Sequence, residues 1–245
     1  MKNLNSILES LQNDEKADFL ASLFATLQKE VNDILKFGAC NNEIAEKTAN
    51  VYYTRKKNKF FAVHYKKDEM AALPAVIAND LCLTDSHTSK TDIDYKEILR
   101  EAYLYGTGTC QSFAIVGAYV LAKKYEVNLS IETIFSYESH TYIRLHTQPE
   151  YIFDFWSPVA CAYDDTINWN ESVNYAYIRN SKVDYKTDIF LDSRQLIEMG
   201  SIIFTAENQN RRESNIKKVM NCADQELLSV PSSKRFEENH SNSIY

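Results

Sequence analysis

Glycine and proline are scarce in this chain, at 5 and 4 of 245 residues. This composition excludes a collagen-like repeat and leaves most turns to Asn, Asp and Ser. A glycine in such a chain indicates a backbone position that other residues tolerate poorly. Gly106 and Gly108 stand two residues apart and predict a tight turn in that segment.

Paired cysteines are also missing. The five cysteines are odd in number, widely spaced and without a C-x-x-C pair, which excludes a disulfide framework and a zinc site of that type. The sequence therefore predicts reduced thiols and neither a metal nor a cofactor. The cysteines are Cys40, Cys82, Cys110, Cys161 and Cys222. Four of the five histidines lack partners at the spacing of metal ligands: His64, His87, His146 and His240.

Long apolar runs are absent as well. The longest, Phe113 to Ala122, is far shorter than the roughly 20 residues that a membrane span needs. Met1 to Ser10 has neither the basic start nor the apolar middle of a signal peptide. Basic residues number 27 against 34 acidic ones, and the net charge of -7 disfavours binding to a phosphate backbone. We therefore expect a cytoplasmic protein that binds neither membrane nor nucleic acid.

The composition that is present, 44% hydrophobic and 25% charged residues, is that of an ordinary globular protein. No repeat or linker divides the chain, so we expect one domain over residues 1–230, with its core at about 50–185 and a helical extension over 1–48. The polar tail, 231–245, has too little apolar content to pack and is expected to be disordered.

The hydrophobic pattern predicts helices toward both ends of the chain, since apolar residues recur every three to four positions there. The predicted helical segments are 5–36 with a break near Asn13, 71–77, 193–209 and 214–228. Aromatic and β-branched residues over 51–65 surround a basic cluster and predict a strand or hairpin with a solvated turn. The segment 85–94 is expected to be a polar loop.

The middle of the chain predicts one helix followed by antiparallel strands. Residues 110–124 place small and apolar side chains along one side, which lets a helix lie close to a sheet. Alternating residues then predict strands over 127–135, 140–145 and 151–156, the last two joined by a short turn. The predicted fold class is α+β, with a helix packed on an antiparallel sheet and helical decorations at both ends.

Cys110 is predicted to lie in the first turn of that helix. Unpaired backbone N–H groups and the helix dipole stabilise a thiolate at such a position, which makes the thiol a nucleophile. The turn with Gly106 and Gly108 suits a tight entry to the helix. The same N–H groups are placed to hold an oxyanion, and the sequence identifies no second donor.

His140, at the start of a predicted strand, is the candidate base, and Asp154 is the candidate that orients it. If Leu145 and Tyr151 face each other across the hairpin, Asp154 is a diagonal neighbour of His140 on one sheet face. A register shifted by two residues places the two directly opposite. Asp154 lies in an apolar run, where a carboxylate is costly without a good hydrogen bond. With Cys110, the pair predicts a thiol, imidazole and carboxylate triad.

Each of these residues also has a plainer interpretation. Cys110 is then a small core residue, His140 a hydrogen-bonded scaffold residue, and Asp154 an ion-pair partner of Arg144. Order and spacing together favour the catalytic interpretation. Two aromatic residues are expected to line the acyl pocket, with plain core packing as the alternative: Tyr142 and Trp156.

Three segments resemble the transglutaminase-like cysteine enzymes: Gly108 to Ala114, His140 to Tyr142, and Asp154 to Trp156. The core of that superfamily runs Gly-x-Cys-x-x-Phe-Ala at a helix start, then His with a small residue and an aromatic on a strand, then Asp on the next strand. The match covers residues 105–158, under a quarter of the chain. The resemblance implies a papain-like α+β core in which the predicted triad acts through a thioester.

The resemblance further implies a protein or peptide substrate and activity as a glutamine deamidase or transglutaminase. Cross-linking animal transglutaminases have Gln before and Trp after the cysteine, where this chain has Thr109 and Gln111. A cysteine peptidase of the same core is the nearest alternative. The alternative from another class is a catalytically silent protein that binds a partner through its helical flanks.

The acidic tail segment from Arg235 to His240 resembles the glutamate-rich C-terminal export signals of bacterial effectors. This resemblance implies secretion into a host cell by a route that needs no signal peptide. The alternative is an ordinary solvated tail. The sequence does not fix the oligomeric state.

Overall fold

The computed structural model describes residues 1–57, 65–85, 94–135, 139–163 and 184–229. Within these ranges the chain is a mixed α+β protein with an antiparallel sheet, as the sequence predicts. The helices are α1 (Leu4–Glu9), α2 (Asn13–Ile34), α3 (Glu43–Lys57), α4 (Lys67–Asp85), α5 (Tyr95–Tyr105), α6 (Cys110–Ala122), α7 (Ser193–Ile203) and α8 (Ala206–Leu228). The strands are β1 (Lys2–Asn3), β2 (Gly38–Ala39), β3 (Thr107–Gly108), β4 (Tyr125–Glu126), β5 (Asn128–Phe135), β6 (Ser139–Leu145), β7 (Tyr151–Asp154), β8 (Val159–Ala162) and β9 (Asp184–Asp192).

The main sheet has the strand order β8-β7-β6-β5-β9, with every neighbouring pair antiparallel. In the β6–β7 hairpin, Leu145 pairs with Tyr151, which confirms one of the two registers that the sequence allows. The two edge strands were not predicted. β8 is only four residues long, and β9 begins in a part of the chain where Asn and Asp obscure the alternating pattern.

Helix α6 is the central element of the fold and is buried along almost its whole length. The sheet covers one side, and α2, α5 and α7 pack against the others. Gly117 permits the close contact with the sheet, because a Cβ at this position would stand 2.2 Å from the Phe155 ring and 3.2 Å from Ile143. The predicted close approach of helix and sheet is confirmed.

A short parallel pairing of β2 with β3 guides the chain into α6. Gly38 pairs with Thr107, and the Thr107 hydroxyl donates to the Gly38 carbonyl over 2.8 Å. Gly106 ends α5 in the left-handed conformation, with φ of +68°, as a glycine C-cap does. The tight turn predicted from the two glycines is therefore present.

Residues 51–57 correct a sequence expectation, since they are the last two turns of α3 rather than a strand or hairpin. The described residues of the basic cluster, 55–57, form the last turn of this helix rather than a solvated turn. Arg55 pairs with Glu226 at 2.6 Å, and Lys56 pairs with Asp80 at 2.8 Å. Tertiary contacts with α8 and α4 thus outweigh the local preference of aromatic and β-branched residues for strands. Residues 58–64 and the tail 231–245 lie outside the described residues. So do positions 86–93 of the polar loop predicted over 85–94, whereas Asp85 ends α4 and Asp94 caps α5.

The helices near the C-terminus divide earlier than predicted. α7 ends at Ile203, and the hydroxyl of Thr205 accepts the N–H of Asn208 at 3.2 Å to cap α8. Apolar residues continue to recur at the helical spacing across this break, so the hydrophobic pattern alone placed the boundary between the two helices too late. The predicted break near Asn13 is confirmed by the start of α2. None of the helices in the described ranges is both long and apolar enough to cross a membrane.

Candidate functional site

The side chains of His140 and Asp154 meet across the β6–β7 hairpin. His140 Nε2 lies 2.5 Å from Asp154 Oδ2, and the two residues are 4% and 1% exposed. They are diagonal neighbours in the observed register, as the prediction requires. The alternative, an ion pair between Asp154 and Arg144, is wrong, because Arg144 pairs with Glu132 and Glu150.

The backbone after β7 holds the second oxygen of the Asp154 carboxylate. Asp154 Oδ1 accepts the N–H groups of Trp156 and Ser157, both at 3.1 Å. With His140 on Oδ2, both oxygens of this buried carboxylate have partners, which offsets the cost of removing it from water. The local turn therefore fixes the carboxylate in the orientation that His140 needs.

Cys110 is the first residue of α6 and is 7% exposed, with its thiol at the beginning of β6. Burial raises the pKa of the Cys110 thiol, but hydrogen bonding and charge interaction with His140, together with hydrogen bonds to Thr141, bring this pKa below its ordinary value of 9.0. Because Nε2 of His140 bonds Asp154, Nδ1 is the ring nitrogen that serves the thiol. The structure thus brings the three predicted residues together.

The electrostatics of His140 match those of the thiol. Burial lowers the pKa of His140, but the negative charge of Asp154 and hydrogen bonds to Asp154 and Cys110 outweigh it and raise this pKa to about 10. A cysteine with a lowered pKa beside a histidine with a raised pKa favours a thiolate–imidazolium pair at neutral pH. This state is the nucleophilic form of a cysteine.

The N-terminus of α6 offers backbone donors beside the thiol. The first N–H to bond within the helix is that of Phe113, which donates to the carbonyl of Thr109 at 3.0 Å. The N–H of Cys110 precedes it and is placed to stabilise an oxyanion. Gly108 is needed for this entry, since a Cβ there would lie 2.2 Å from Cβ of Ser112.

The two aromatic residues predicted to bind substrate lie in different surroundings. The Trp156 ring packs on His140, with ring centroids 5.4 Å apart and planes tilted by 56°. Tyr142 is 1% exposed, and its hydroxyl donates to the buried carboxylate of Glu132 at 3.2 Å. Tyr142 thereby has a structural role in the sheet. Substrate binding by either residue stays a prediction.

The sequence reasoning missed Cys40 and Asn41, which follow β2. The N–H of Cys40 donates to the carbonyl of Gly108 at 3.0 Å, and its thiol is near enough to Cys110 for a charge on the Cys110 sulfur to raise the pKa of Cys40. Burial raises the pKa of Cys40 to about 11, so this thiol stays protonated near neutral pH. Asn41 Oδ1 accepts the indole N–H of Trp156 at 2.9 Å. No sequence pattern near residue 40 indicates these contacts.

No family model, curated protein or solved structure matches this chain. Across the described parts of the chain, no group of three or more His, Cys, Asp and Glu side chains is placed to hold a metal ion. The chemistry of the site therefore rests on its own geometry. A buried thiol with a lowered pKa stands beside a charged imidazole that a fixed carboxylate orients, and this arrangement suits nucleophilic attack on a carbonyl carbon.

Proposed function

We propose that the chain is a cysteine acyl-transfer enzyme with a transglutaminase-like, papain-like core. The observation that supports this most strongly is the meeting of three buried side chains from α6, β6 and β7, in which His140 bonds Asp154 at 2.5 Å on one side and the Cys110 thiol on the other. Against the effect of burial, this contact lowers the pKa of Cys110 and raises that of His140. A structural cysteine shows the reverse, as the raised pKa of buried Cys40 does. His140 accounts for the difference between the two thiols, because its hydrogen bond and charge lower the pKa of Cys110, whereas no histidine among the described residues acts on Cys40 in this way.

In the first half-reaction, the Cys110 thiolate attacks the carbonyl carbon of an amide, and the carbonyl oxygen becomes an oxyanion. The carbon–nitrogen bond then breaks as the His140 imidazolium gives its Nδ1 proton to the leaving nitrogen. Ammonia leaves from a primary amide, or an amine from a substituted one. The acyl group stays on Cys110 as a thioester, and Asp154 keeps the imidazole oriented.

In the second half-reaction, neutral His140 takes a proton from water or from an amine, which attacks the thioester carbon. The carbon–sulfur bond breaks, so that the Cys110 thiolate and the His140 imidazolium are restored. Water as acceptor makes the protein a glutamine deamidase, and a lysine amine makes it a transglutaminase. This chain has Thr109 and Gln111 where the cross-linking animal transglutaminases have Gln and Trp, so the acceptor is decided by product analysis.

Product analysis tests this proposal. The protein is incubated with casein, with and without a biotinylated primary amine, and acid-quenched samples are weighed intact. We expect ammonia release and an acyl adduct on the enzyme, both of which Cys110→Ala abolishes.

The products distinguish the alternative activities. Biotin incorporation into casein identifies a transglutaminase, and ammonia release without biotin incorporation identifies a deamidase. Cleaved casein without ammonia release identifies the peptidase alternative. If neither casein nor p-nitrophenyl acetate acylates Cys110 of the wild-type protein, acyl transfer is contradicted. That result would favour the alternative of a catalytically silent protein that binds a partner.

A further inference from the structure

Asn41 lies beside the start of α6, although 69 residues separate the two segments. The β2–β3 pairing places Ala39 opposite Gly108, and the N–H of Cys40 continues it by donating to the Gly108 carbonyl. The Cys40 thiol lies near enough to Cys110 for a charge on Cys110 to raise the pKa of Cys40. The next residue, Asn41, is therefore held on the nucleophile side of the site.

The side chain of Asn41 is also tied to the opposite side of the site. Its Oδ1 accepts the indole N–H of Trp156 at 2.9 Å. The Trp156 ring packs on His140, and the Trp156 backbone N–H donates to Asp154. The Asn41 amide is thus fixed between the residues that carry the thiol and those that activate it.

The bond to Trp156 also determines which end of the amide is available. An indole N–H only donates, so the oxygen of Asn41 faces Trp156 and the NH₂ group faces away. Among the described residues, Nδ2 of Asn41 donates to no protein acceptor. The two N–H bonds of this half-buried side chain remain available for a ligand oxygen.

From this geometry we infer that Asn41 is the second oxyanion donor of the site. When the Cys110 thiolate attacks a carbonyl carbon, the oxyanion accepts hydrogen bonds from the backbone N–H of Cys110 and from Nδ2 of Asn41. No proton moves to or from Asn41, and Trp156 serves as a positioning residue for its amide. This inference rests on the proposed acyl transfer and names a catalytic residue for it. Removing one such donor typically slows the reaction by about 10²–10³-fold.

Two reactions of the same thiol separate this role from others. Acylation by p-nitrophenyl acetate passes through an oxyanion, whereas alkylation by iodoacetamide displaces iodide at a saturated carbon and forms none. For Asn41→Ala we expect acylation of Cys110 to fall roughly 10²-fold, with alkylation changed less than about twofold. Trp156→Phe keeps a ring on His140 but loses the indole N–H. For this variant we expect acylation to fall less than in Asn41→Ala, and alkylation to stay unchanged.

Asn42→Ala is the matched control, because Asn42 is the next residue but caps α3, with its Oδ1 accepting the Ala45 N–H at 2.8 Å. We expect it to leave both rates unchanged. An equal loss of both reactions in Asn41→Ala and Trp156→Phe, or a loss of neither, overturns the role of Asn41. The proposed function fails separately if wild-type Cys110 is alkylated no faster than Cys161.

Discussion

The imidazole Nε2 of His140 and the carboxylate Oδ2 of Asp154 lie 2.5 Å apart, with both side chains buried and the two residues 14 positions apart along the chain. This contact depends on the register of one hairpin, since a slip by a single residue would turn the two side chains to opposite faces of the sheet. The charge of Asp154 raises the pKa of His140, and the charged imidazole in turn lowers the pKa of Cys110. The carboxylate of Asp154 therefore acts on the pKa of the Cys110 thiol through the imidazole of His140.

Replacing Asp154 by Asn tests this chain of influence. The substitution keeps the size of the side chain and removes its charge, so we expect the pKa of His140 to fall from about 10 and the pKa of Cys110 to rise. Acylation of Cys110 by p-nitrophenyl acetate near neutral pH should fall by roughly 10²–10⁴-fold. The rate at which iodoacetamide alkylates Cys110, measured by mass spectrometry of the digested protein at a series of pH values, gives the shift in the pKa of Cys110.

Glu150→Gln is the control for Asp154→Asn, because the Glu150 carboxylate bonds another histidine, His146, at 2.8 Å in the turn that joins β6 and β7. Glu150 is only partly buried and lies at the far end of the hairpin. We expect Cys110 in the Glu150→Gln variant to be acylated by p-nitrophenyl acetate at the wild-type rate. A similar loss in both variants would mean that carboxylates of this sheet act through stability rather than through His140.

The pH dependence of the two thiol reactions should differ on the alkaline side. As the pH falls through the lowered pKa of Cys110, the thiolate is protonated, and both alkylation and amide turnover decline. As the pH rises through about 10, His140 loses the proton that the leaving nitrogen needs, while the thiolate persists. We expect a bell-shaped profile for ammonia release and a plateau for alkylation with iodoacetamide. An alkylation midpoint at or above the ordinary cysteine value of 9.0 would contradict the lowered pKa.

Gly117→Ala tests the contact between α6 and the sheet. The added Cβ would stand 2.2 Å from the Phe155 ring, so the helix or the ring must move. We expect the free energy of unfolding, measured in urea, to fall by about 1–3 kcal/mol. In the Phe155→Leu variant, whose smaller side chain leaves room for the added Cβ, Gly117→Ala should cost less free energy of unfolding than it does in the wild type. Additive losses in the double-mutant cycle would show that no clash exists between the two positions.

Arg55→Ala tests the assignment of residues 51–57 to a helix that docks on α8. Arg55 and its partner Glu226 are 12% and 22% exposed at their side chains, and the Tyr65 hydroxyl donates to the same carboxylate. We expect a loss of roughly 1–3 kcal/mol in the free energy of unfolding, because removal of Arg55 leaves this sheltered carboxylate without its cation.

Lys47→Ala is the matched control for Arg55→Ala. Lys47 pairs with Glu43 in the same helix, but the two side chains are 60% and 75% exposed. Such a pair contributes at most about 0.5 kcal/mol. Equal effects of the two substitutions would place residue 55 on a solvated surface, as the original hairpin expectation had it.

The parts of the site that the sequence predicted are those that local patterns specify. The alternating residues around His140 and Asp154, with a short turn between them, allow two hairpin registers, and both place the two side chains on one face of the sheet. The glycines before Cys110 mark the entry to α6. These features depend on neighbouring residues, so one sequence contains enough information to place them.

The missed parts depend on pairings between distant segments. Asn41 reaches the site only because two-residue strands, 69 positions apart, pair in parallel, and such short strands have no period to detect. The helical form of 51–57 depends on Glu226, 171 positions beyond Arg55. Local propensity carries no information about partners at such separations.

Site-resolved alkylation tests the activation of Cys110 most directly. The native protein is treated briefly with iodoacetamide near neutral pH, digested, and the modified fraction of each cysteine is measured by mass spectrometry. Cys40 and Cys161 are internal references, because burial raises the pKa of each. We predict that Cys110 reacts first despite its 7% exposure, and that His140→Ala removes this preference. A Cys110 that reacts no faster than Cys161 in the wild-type protein would contradict the account.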